Sequence, residues 1–339
     1  MKCALRFVCA ITVFASILLL TGNLSLPVLA QEQQAQQPPH VTITEIPIPT
    51  PNSLPICMIT GPAGDGWFVE TLGNKIGHIT LDGTITEFKM LQAKSYPRGL
   101  TIGPDGAIWF GEKLANMIGR ITTDGVITQF SIPTPDSEPR SVAAGPDGAI
   151  WFTEEAGNNI GRLTLSGDFT EYPVPTPSAG PEHITVGPDG ALWFTEEDAR
   201  KIARITTLGT FTEYLLPSDG GTPDVITTGP DGAMWFGEPG HNRIGRITMN
   251  GDITQWVVPT PKSGPSGVTV GPDGAIWFTE FYIDQVGRIN MQGMITEFVT
   301  PTPGSRPANI TTEADGALWF TEYTANNIAH LVLPRKKTP

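Results

Sequence analysis

The chain has 339 residues, and its 34 acidic residues outnumber its 21 basic ones, which gives a formal net charge of −13. This excess of negative charge excludes nucleic acid as an expected partner, because binding to phosphate backbones requires a basic surface. Three cysteines, Cys3, Cys9 and Cys57, are too few for a disulfide framework.

Residues 1–30 have the pattern of a secretory signal peptide. Lys2 and Arg6 precede an apolar run, Phe7–Leu20, and Val28–Ala30 forms a small-residue cleavage site. A membrane anchor would need roughly 20 apolar residues, and Thr21 interrupts the run too early. We therefore expect a secreted or periplasmic protein with no membrane span after cleavage.

Cleavage would leave Cys57 as the last cysteine, with 19 basic residues against 34 acidic ones and a charge of −15. Such a chain has no internal disulfide, so its fold must be held by packing and sheet closure. Cys57 is expected to be a small buried apolar residue. Residues 31–40, rich in Gln and Pro, predict a flexible leader, and residues 335–339 form a basic tail.

A sequence motif, GPDGAIWFGE at Gly103–Glu112, returns throughout the rest of the chain. Its Trp-Phe pair recurs every 42 residues, at Trp67, Trp109, Trp151, Trp193, Trp235, Trp277 and Trp319. A period of about 40 to 50 residues that carries strands and tight turns is typical of propeller blades.

The third repeat shows how one blade is built. Strands are predicted at Ser141–Ala144, Ala149–Thr153, Ile160–Thr164 and Phe169–Val174, with a tight turn at Gly145–Gly148. Trp and Phe of the second strand lie on opposite faces and both are apolar, as expected of a strand packed between two neighbouring blades.

The two ends of the repeat array complete each other. The last repeat stops at Ile328–Leu333 without a fourth strand, and Val41–Pro49 reads like the missing strand. Residues 41–334 are therefore predicted to form an all-β, seven-bladed β-propeller of four-stranded antiparallel blades, with the N-terminal strand closing the ring in the last blade. The longer loops all lie on one face, where we expect the site.

Two sets of residues repeat in every blade and invite a functional interpretation. A Glu follows each Trp by three residues, from Glu70 to Glu322, and an Arg or His recurs on the adjacent strand, as at Arg120 and His78. We interpret the Glu and Arg sets as cross-strand pairs and the Trp set as packing between blades, because catalytic sites are usually singular. No nucleophile motif, phosphate loop or Cys/His cluster is present.

The motifs GPDGAIWFTE, NxIGRIT, GxITEF and IPTP resemble those of the virginiamycin B (streptogramin B) lyase family from about Val41 to Leu333. The resemblance implies a monomeric seven-bladed propeller that opens a cyclic depsipeptide lactone by Mg-assisted elimination of the ester C–O bond. A base would abstract the proton next to the ester while the metal stabilises the developing charge.

The family's functional positions, two His and two Glu, fall in this chain on residues that do not match: Ala308, Arg306, Tyr323 and Ser266. The symmetry of the ring permits another register. In the third blade it gives Glu138 and Glu155, with Arg140 and Arg98 in the histidine positions. Arginine stays protonated and cannot act as the base.

The fourth blade adds Glu182, His183 and Glu197, with the His one place from the family position. The resemblance thus suggests His183 as a catalytic residue, Arg98, Arg140 and Glu182 as substrate-binding residues, and Glu138, Glu155 and Glu197 as ligands of Mg. Because these charged residues break the repeat, we predict that they line a shared polar pocket at the mouth of the central channel.

Two hypotheses for the function remain, with a weaker third. The first is a lyase acting on a macrocyclic lactone. The second is a noncatalytic propeller that binds a small molecule, a cyclic or linear peptide, or a cell-envelope partner on the long-loop face. The third is a lactonase-type propeller. It is the weaker hypothesis because its metal site would need unique carboxylate and Asn positions, and none can be assigned in this sequence.

Overall fold

The computed structural model describes residues 41–217 and 221–334, and their strands form seven antiparallel sheets of four strands each. The predicted signal peptide, leader and C-terminal tail lie outside the described residues. No helix in the described part of the chain is long and apolar enough to cross a membrane.

The strands follow one another in chain order around the ring. The N-terminal strand and the first three blades comprise β1 (Thr42–Pro47), β2 (Pro55–Thr60), β3 (Gly66–Glu70), β4 (Lys75–Ile79), β5 (Ile85–Lys89), β6 (Pro97–Ile102), β7 (Ile108–Glu112), β8 (Met117–Ile121), β9 (Ile127–Ser131), β10 (Pro139–Ala144), β11 (Ile150–Glu154), β12 (Asn159–Leu163) and β13 (Phe169–Pro173).

The remaining blades comprise β14 (Pro181–Val186), β15 (Leu192–Glu196), β16 (Lys201–Ile205), β17 (Phe211–Leu215), β18 (Ile226–Thr228), β19 (Met234–Glu238), β20 (Arg243–Ile247), β21 (Ile253–Val257), β22 (Pro265–Val270), β23 (Ile276–Glu280), β24 (Gln285–Ile289), β25 (Ile295–Val299), β26 (Pro307–Thr312), β27 (Leu318–Glu322) and β28 (Asn327–Val332). A 3-10 turn spans Pro239–His241.

The second strand of each blade is buried on both faces, as predicted. In β11 all five residues are buried, and Trp151 and Phe152 belong to two different hydrophobic clusters, one on each side of the blade. The strand boundaries of this blade agree with the prediction to within two residues. Packing of each blade between its neighbours therefore supplies the core of the protein.

The ring closes through the N-terminal strand. β1 pairs antiparallel with β28, from Thr42 opposite Val332 to Pro47 opposite Asn327, and completes the sheet of β26, β27 and β28. The closure prediction is confirmed.

Each Trp of the repeat is core, as predicted, and one arrangement of polar groups surrounds most of them. The Trp151 Nε1 donates to Asp147 of the preceding turn at 3.0 Å, and the ring stacks on Tyr172 of the fourth strand. The eighth tryptophan, Trp256, stacks in the same way on Trp235 at a centroid distance of 5.1 Å. These contacts are packing contacts rather than an exposed aromatic surface.

The predicted pairing of the repeated Glu with the repeated Arg is wrong. Arg162 lies opposite Trp151 in the β11–β12 register, and its Nε donates to Asp147 at 2.7 Å. Glu154 lies opposite Asn159 instead. The error is one of register: residues three apart on a strand lie on opposite faces, so the Glu and the Arg cannot face one another.

The repeated Glu meets the fourth strand of its own blade. In the second blade Glu112 accepts hydrogen bonds from Gln129 at 2.8 and 2.7 Å. In five blades a Glu replaces that Gln, so that two carboxyl groups meet. Burial is the larger cause, and the charge of the neighbouring acid the smaller one, that raises the pKa of Glu70 to about 7 and that of Glu196 to about 8. Each such pair is stable when one member holds a proton.

These glutamates predict a stability that falls with rising pH. A carboxyl group whose pKa is raised on folding, as in Glu154, Glu280 and Glu322, stabilises the fold fully below its usual pKa of 4.5 and loses that contribution by about pH 7 to 8. We expect the melting temperature to fall by at least about 5 °C between pH 5 and pH 8.5, measured by calorimetry. Glu196→Gln, which imitates the protonated form, should flatten this slope, and an unchanged slope would contradict the account.

Candidate functional site

The first strands of neighbouring blades contact one another and surround the central axis. At their long-loop end they enclose a cavity of about 260 Å³. The residue after the strand-opening Pro lines this cavity in every blade: Ile56, Arg98, Arg140, Glu182, Asp224, Ser266 and Ala308. The seven-fold backbone thus presents seven different side chains to one small space.

A β-bulge brings the following residue to the cavity as well. In β14 the register shifts between Pro181 and Ile184, so both Glu182 and His183 reach the cavity. The bulge leaves the His183 amide without a strand partner, and this amide donates to the Thr195 Oγ1 at 3.1 Å. The Thr of the repeated WFTE motif therefore stabilises the bulge.

Glu138 and Glu155 lie together beside the cavity, and both bind a lysine. The Lys113 ammonium is 2.9 Å from a Glu138 oxygen and 2.8 Å from a Glu155 oxygen. Arg140 connects Glu155 to Glu182, because its Nη1 is 2.9 Å from the Glu155 Oε1 and 2.5 Å from the Glu182 Oε2. Five charged side chains from the second, third and fourth blades thus form one ion-pair network.

The resemblance implies a magnesium ion, with Glu138, Glu155 and Glu197 as its predicted ligands. The Lys113 ammonium lies between the first two carboxylates, in the position that a shared cation would take. No group of three or more His, Cys, Asp or Glu side chains in the described ranges is arranged to hold a metal ion. In this geometry the three residues do not fit a magnesium site, and their assignment as ligands stays a prediction.

Arg98 differs from Arg140 in having no acidic partner. Within the described residues no carboxylate lies within 4 Å of its guanidinium nitrogens, and its buried Nε has no hydrogen-bond partner. Its guanidinium lies over the Tyr96 ring, 5.1 Å from the centroid. The unpaired Nε and the lack of a close carboxylate favour binding of an anionic group, although the charge of Arg98 also acts on the Asp224 carboxyl at longer range.

Three acidic residues, Glu182, Glu197 and Asp224, line the side of the cavity opposite Arg98. Burial, together with the charges of Asp224 and Glu197, raises the pKa of Glu182 to about 8, although Arg140 opposes the shift. Burial also raises the pKa of Glu197 and of Asp224. The Asp224 carboxylate accepts a hydrogen bond from the Ser266 hydroxyl. Burial therefore favours the protonated form of these acids, and a cationic group placed beside them would favour the carboxylate form.

His183 and Cys57 lie deeper, at the entrance to the channel. Burial lowers the pKa of His183 to about 4, and its Nδ1 accepts the Ile226 amide at 3.5 Å. This contact uses the basic lone pair and leaves an N–H at Nε2. Cys57 is only partly buried and borders the cavity, although burial raises the pKa of its thiol to about 11.

With this geometry in place, comparison with known proteins shows which family the chain resembles. The chain matches the family described as the virginiamycin B lyase family over residues 30–174 and 136–337. The chain belongs to the virginiamycin B lyase family. No sequence among the curated proteins matches it.

Solved structures of virginiamycin B lyases are similar along almost their whole length. A streptogramin B lyase structure is 38% identical with a TM-score of 0.84, over 87% of this chain and 98% of that one. A catalytically inactive variant of virginiamycin B lyase from Staphylococcus aureus, solved with quinupristin, is 38% identical with a TM-score of 0.83, over 87% and 100%. A Kuenenia stuttgartiensis hydrazine synthase, 13% identical over 86% and 98% with a TM-score of 0.71, shares the fold alone.

The positions that the resemblance assigns to the family's functional residues lie at or near the same cavity. Ala308 and Ser266 line it, and Tyr323 and Arg306 both contact Phe281, with ring centroids 5.6 Å apart and the Arg306 guanidinium 5.9 Å from the ring. None of these four side chains is a histidine or a carboxylate.

The structure brings five of the seven predicted site residues to the cavity, namely Arg98, Arg140, Glu182, His183 and Glu197, and places Glu138 and Glu155 beside them. Reasoning from the sequence missed Lys113, Asp224, Phe281 and Tyr282. All four break the repeat: Lys113 does so in the second blade, and Asp224, Phe281 and Tyr282 do so in the fifth and sixth blades, where the search for departures from the repeat was not applied.

Proposed function

We propose that this protein is an exported binding protein that holds a small ligand in the cavity at the long-loop mouth, with an anionic group of the ligand on Arg98. The observation that carries the proposal is the guanidinium of Arg98, which has no acidic partner, beside an Arg140 that has two. The signal-peptide pattern of residues 1–30 supports export.

The distribution of bases favours binding over elimination. Arg98 and Arg140 cannot accept a proton, Ala308 and Ser266 are not bases, and the Nδ1 lone pair of His183 accepts a backbone amide. Lys113 neutralises the two carboxylates that the resemblance assigns to a metal. The pocket therefore has groups that fix and neutralise a ligand, and it lacks a free imidazole.

We expect small carboxylates to bind in the cavity and to lose that binding in Arg98→Gln. Saturation-transfer NMR on the purified mature protein measures this binding, with benzoate as the small carboxylate. Arg162→Gln is the matched control, because Arg162 lies on an outer strand and pairs with Asp147. Equal benzoate signals from Arg98→Gln and from the unsubstituted protein would refute the proposal.

A second candidate function, lyase activity on a streptogramin B, is favoured by one observation. The pKa of Glu182, raised by burial to about 8, suits a general base near neutral pH, and Arg140 lies 2.5 Å away. Glu182 would take the proton next to the ester, the C–O bond would break to leave an alkene, and the departing carboxylate would carry the negative charge beside arginine.

Incubation of the mature protein with a streptogramin B, with Mg or with a chelator, tests this second candidate. Mass spectrometry should show a ring-opened product of unchanged mass that disappears in Glu182→Gln. The absence of product at high protein concentration would remove the lyase candidate and leave the binding proposal standing.

A further inference from the structure

An aromatic cluster of Phe281, Tyr282 and Tyr323 forms one wall of the long-loop mouth. The Phe281 ring is 5.7 Å from Tyr282 and 5.6 Å from Tyr323, and Tyr282 is 58% exposed. Phe281 and Tyr282 border the cavity. The equivalents of Phe281 in the other blades are chemically unlike one another: Thr71, Lys113, Glu155, Glu197, Pro239 and Tyr323. Blade architecture therefore does not require an aromatic side chain at this position.

Within the described residues, Arg98 on one side of the cavity and the acids Asp224 and Glu197 on the other form no close ion pair. Arg98 has no acidic partner within ion-pair distance among the described residues. Asp224 and Glu197, in the fifth and fourth blades, have no basic partner within that distance among the same residues, although Arg140 acts on both carboxyl groups, and Arg98 on that of Asp224, at longer range. Arg98 and Asp224 lie three blades apart in the ring, so a ligand on the axis meets positive charge on one side and negative charge on the other.

A ligand of this cavity would have to match three features: the aromatic cluster, the guanidinium of Arg98, and the carboxyl groups of Asp224 and Glu197. The volume of the cavity limits the size of such a ligand. About 260 Å³ is at the small end of ligand pockets and is enough for one amino acid. A carboxylate pairs with a guanidinium through charge-assisted hydrogen bonds, an ammonium pairs with buried carboxylates, and an aromatic ring packs against other aromatic rings.

We propose that the cavity binds a free aromatic α-amino acid as a zwitterion, with its carboxylate on Arg98, its ammonium at Asp224 and Glu197, and its ring against Phe281 and Tyr282. This assignment rests on the proposed function and adds the ligand class to it. A ligand of this kind supplies the charge that each side of the cavity lacks without changing the net charge of the site.

Isothermal titration of the mature protein with four probes tests the assignment. The probes are L-phenylalanine, hydrocinnamate, which lacks the ammonium, phenethylamine, which lacks the carboxylate, and L-alanine, which lacks the ring. We expect L-phenylalanine to bind at least about tenfold more tightly than each of the others, the difference that one such contact commonly makes.

Two variants locate the contacts. Asp224→Asn should weaken L-phenylalanine about tenfold and leave hydrocinnamate unchanged, whereas Phe281→Ala should reduce L-phenylalanine to the affinity of L-alanine. Leu208→Ala, at a residue 90% exposed, is the control and should change neither. The melting temperature of each variant shows that it is folded.

The outcomes separate this inference from the proposed function. Hydrocinnamate binding as tightly as L-phenylalanine, with loss in Arg98→Gln, would overturn the zwitterion assignment and keep the anion-binding function. Equal affinity for L-phenylalanine and L-alanine would overturn the role of the aromatic cluster. Failure of all four probes together with benzoate would overturn both proposals.

Discussion

Deletion of residues 41–49 is expected to lower the melting temperature by roughly 10 °C or more and to broaden the unfolding transition. The deletion removes β1 and exposes the edge of β28. Ile48 is 4% exposed, and the half-buried Ile43 and Ile46 pack on the clusters that join the last blade to the sixth and to the first. At about 1.5 to 3 kcal/mol for each buried side chain, their loss costs on the order of 5 kcal/mol before strand pairing is counted.

The same strand also ties the last blade to the sixth. Glu45 accepts hydrogen bonds from the Thr302 amide at 2.9 Å and from the Thr302 hydroxyl at 2.6 Å. Deletion of residues 31–38 is the matched control and should leave the melt unchanged. Calorimetric transitions of the same midpoint and width for both truncations would contradict the closure account.

Trp193→Ala is expected to cost about 3 to 5 kcal/mol of unfolding free energy, as large-to-small substitutions of core aromatics do. Trp193 is fully buried, stacks on Tyr214 at 5.7 Å, and donates from Nε1 to Asp189 at 3.0 Å. The substitution leaves a cavity between two blades and removes the hydrogen-bond donor to Asp189.

Urea denaturation of Trp193→Ala and of the exposed control Leu208→Ala gives the measurement. The control should lie within about 0.5 kcal/mol of the unsubstituted protein. A normal melt combined with loss of benzoate binding in Trp193→Ala would show that the Trp ring acts in ligand binding instead of packing.

The sequence alone showed which charged residues of blades two to four depart from the repeat. It did not show which residues form ion pairs with them. Glu138 and Glu155 were grouped correctly, because their repeat positions place both on the long-loop face. Lys113 was not connected to them, since it lies in the loop of the preceding blade. Contacts between blades depend on loop geometry, which a 42-residue period does not encode.

The blade architecture was determined by the sequence alone. Three local patterns predicted the strands, the turns and the ring closure: the Trp-Phe pair that repeats every 42 residues, the turn motif, and the missing fourth strand at the C-terminus.

Only the tertiary structure decided which residues meet at the axis. In six of the seven blades a bulge follows the strand-opening Pro and turns two consecutive side chains, such as Glu182 and His183, toward the cavity, where regular alternation would point them to opposite faces. The charges of Arg98 and Asp224 come together because the ring closes, since they are 126 residues apart in the chain and meet only across the channel.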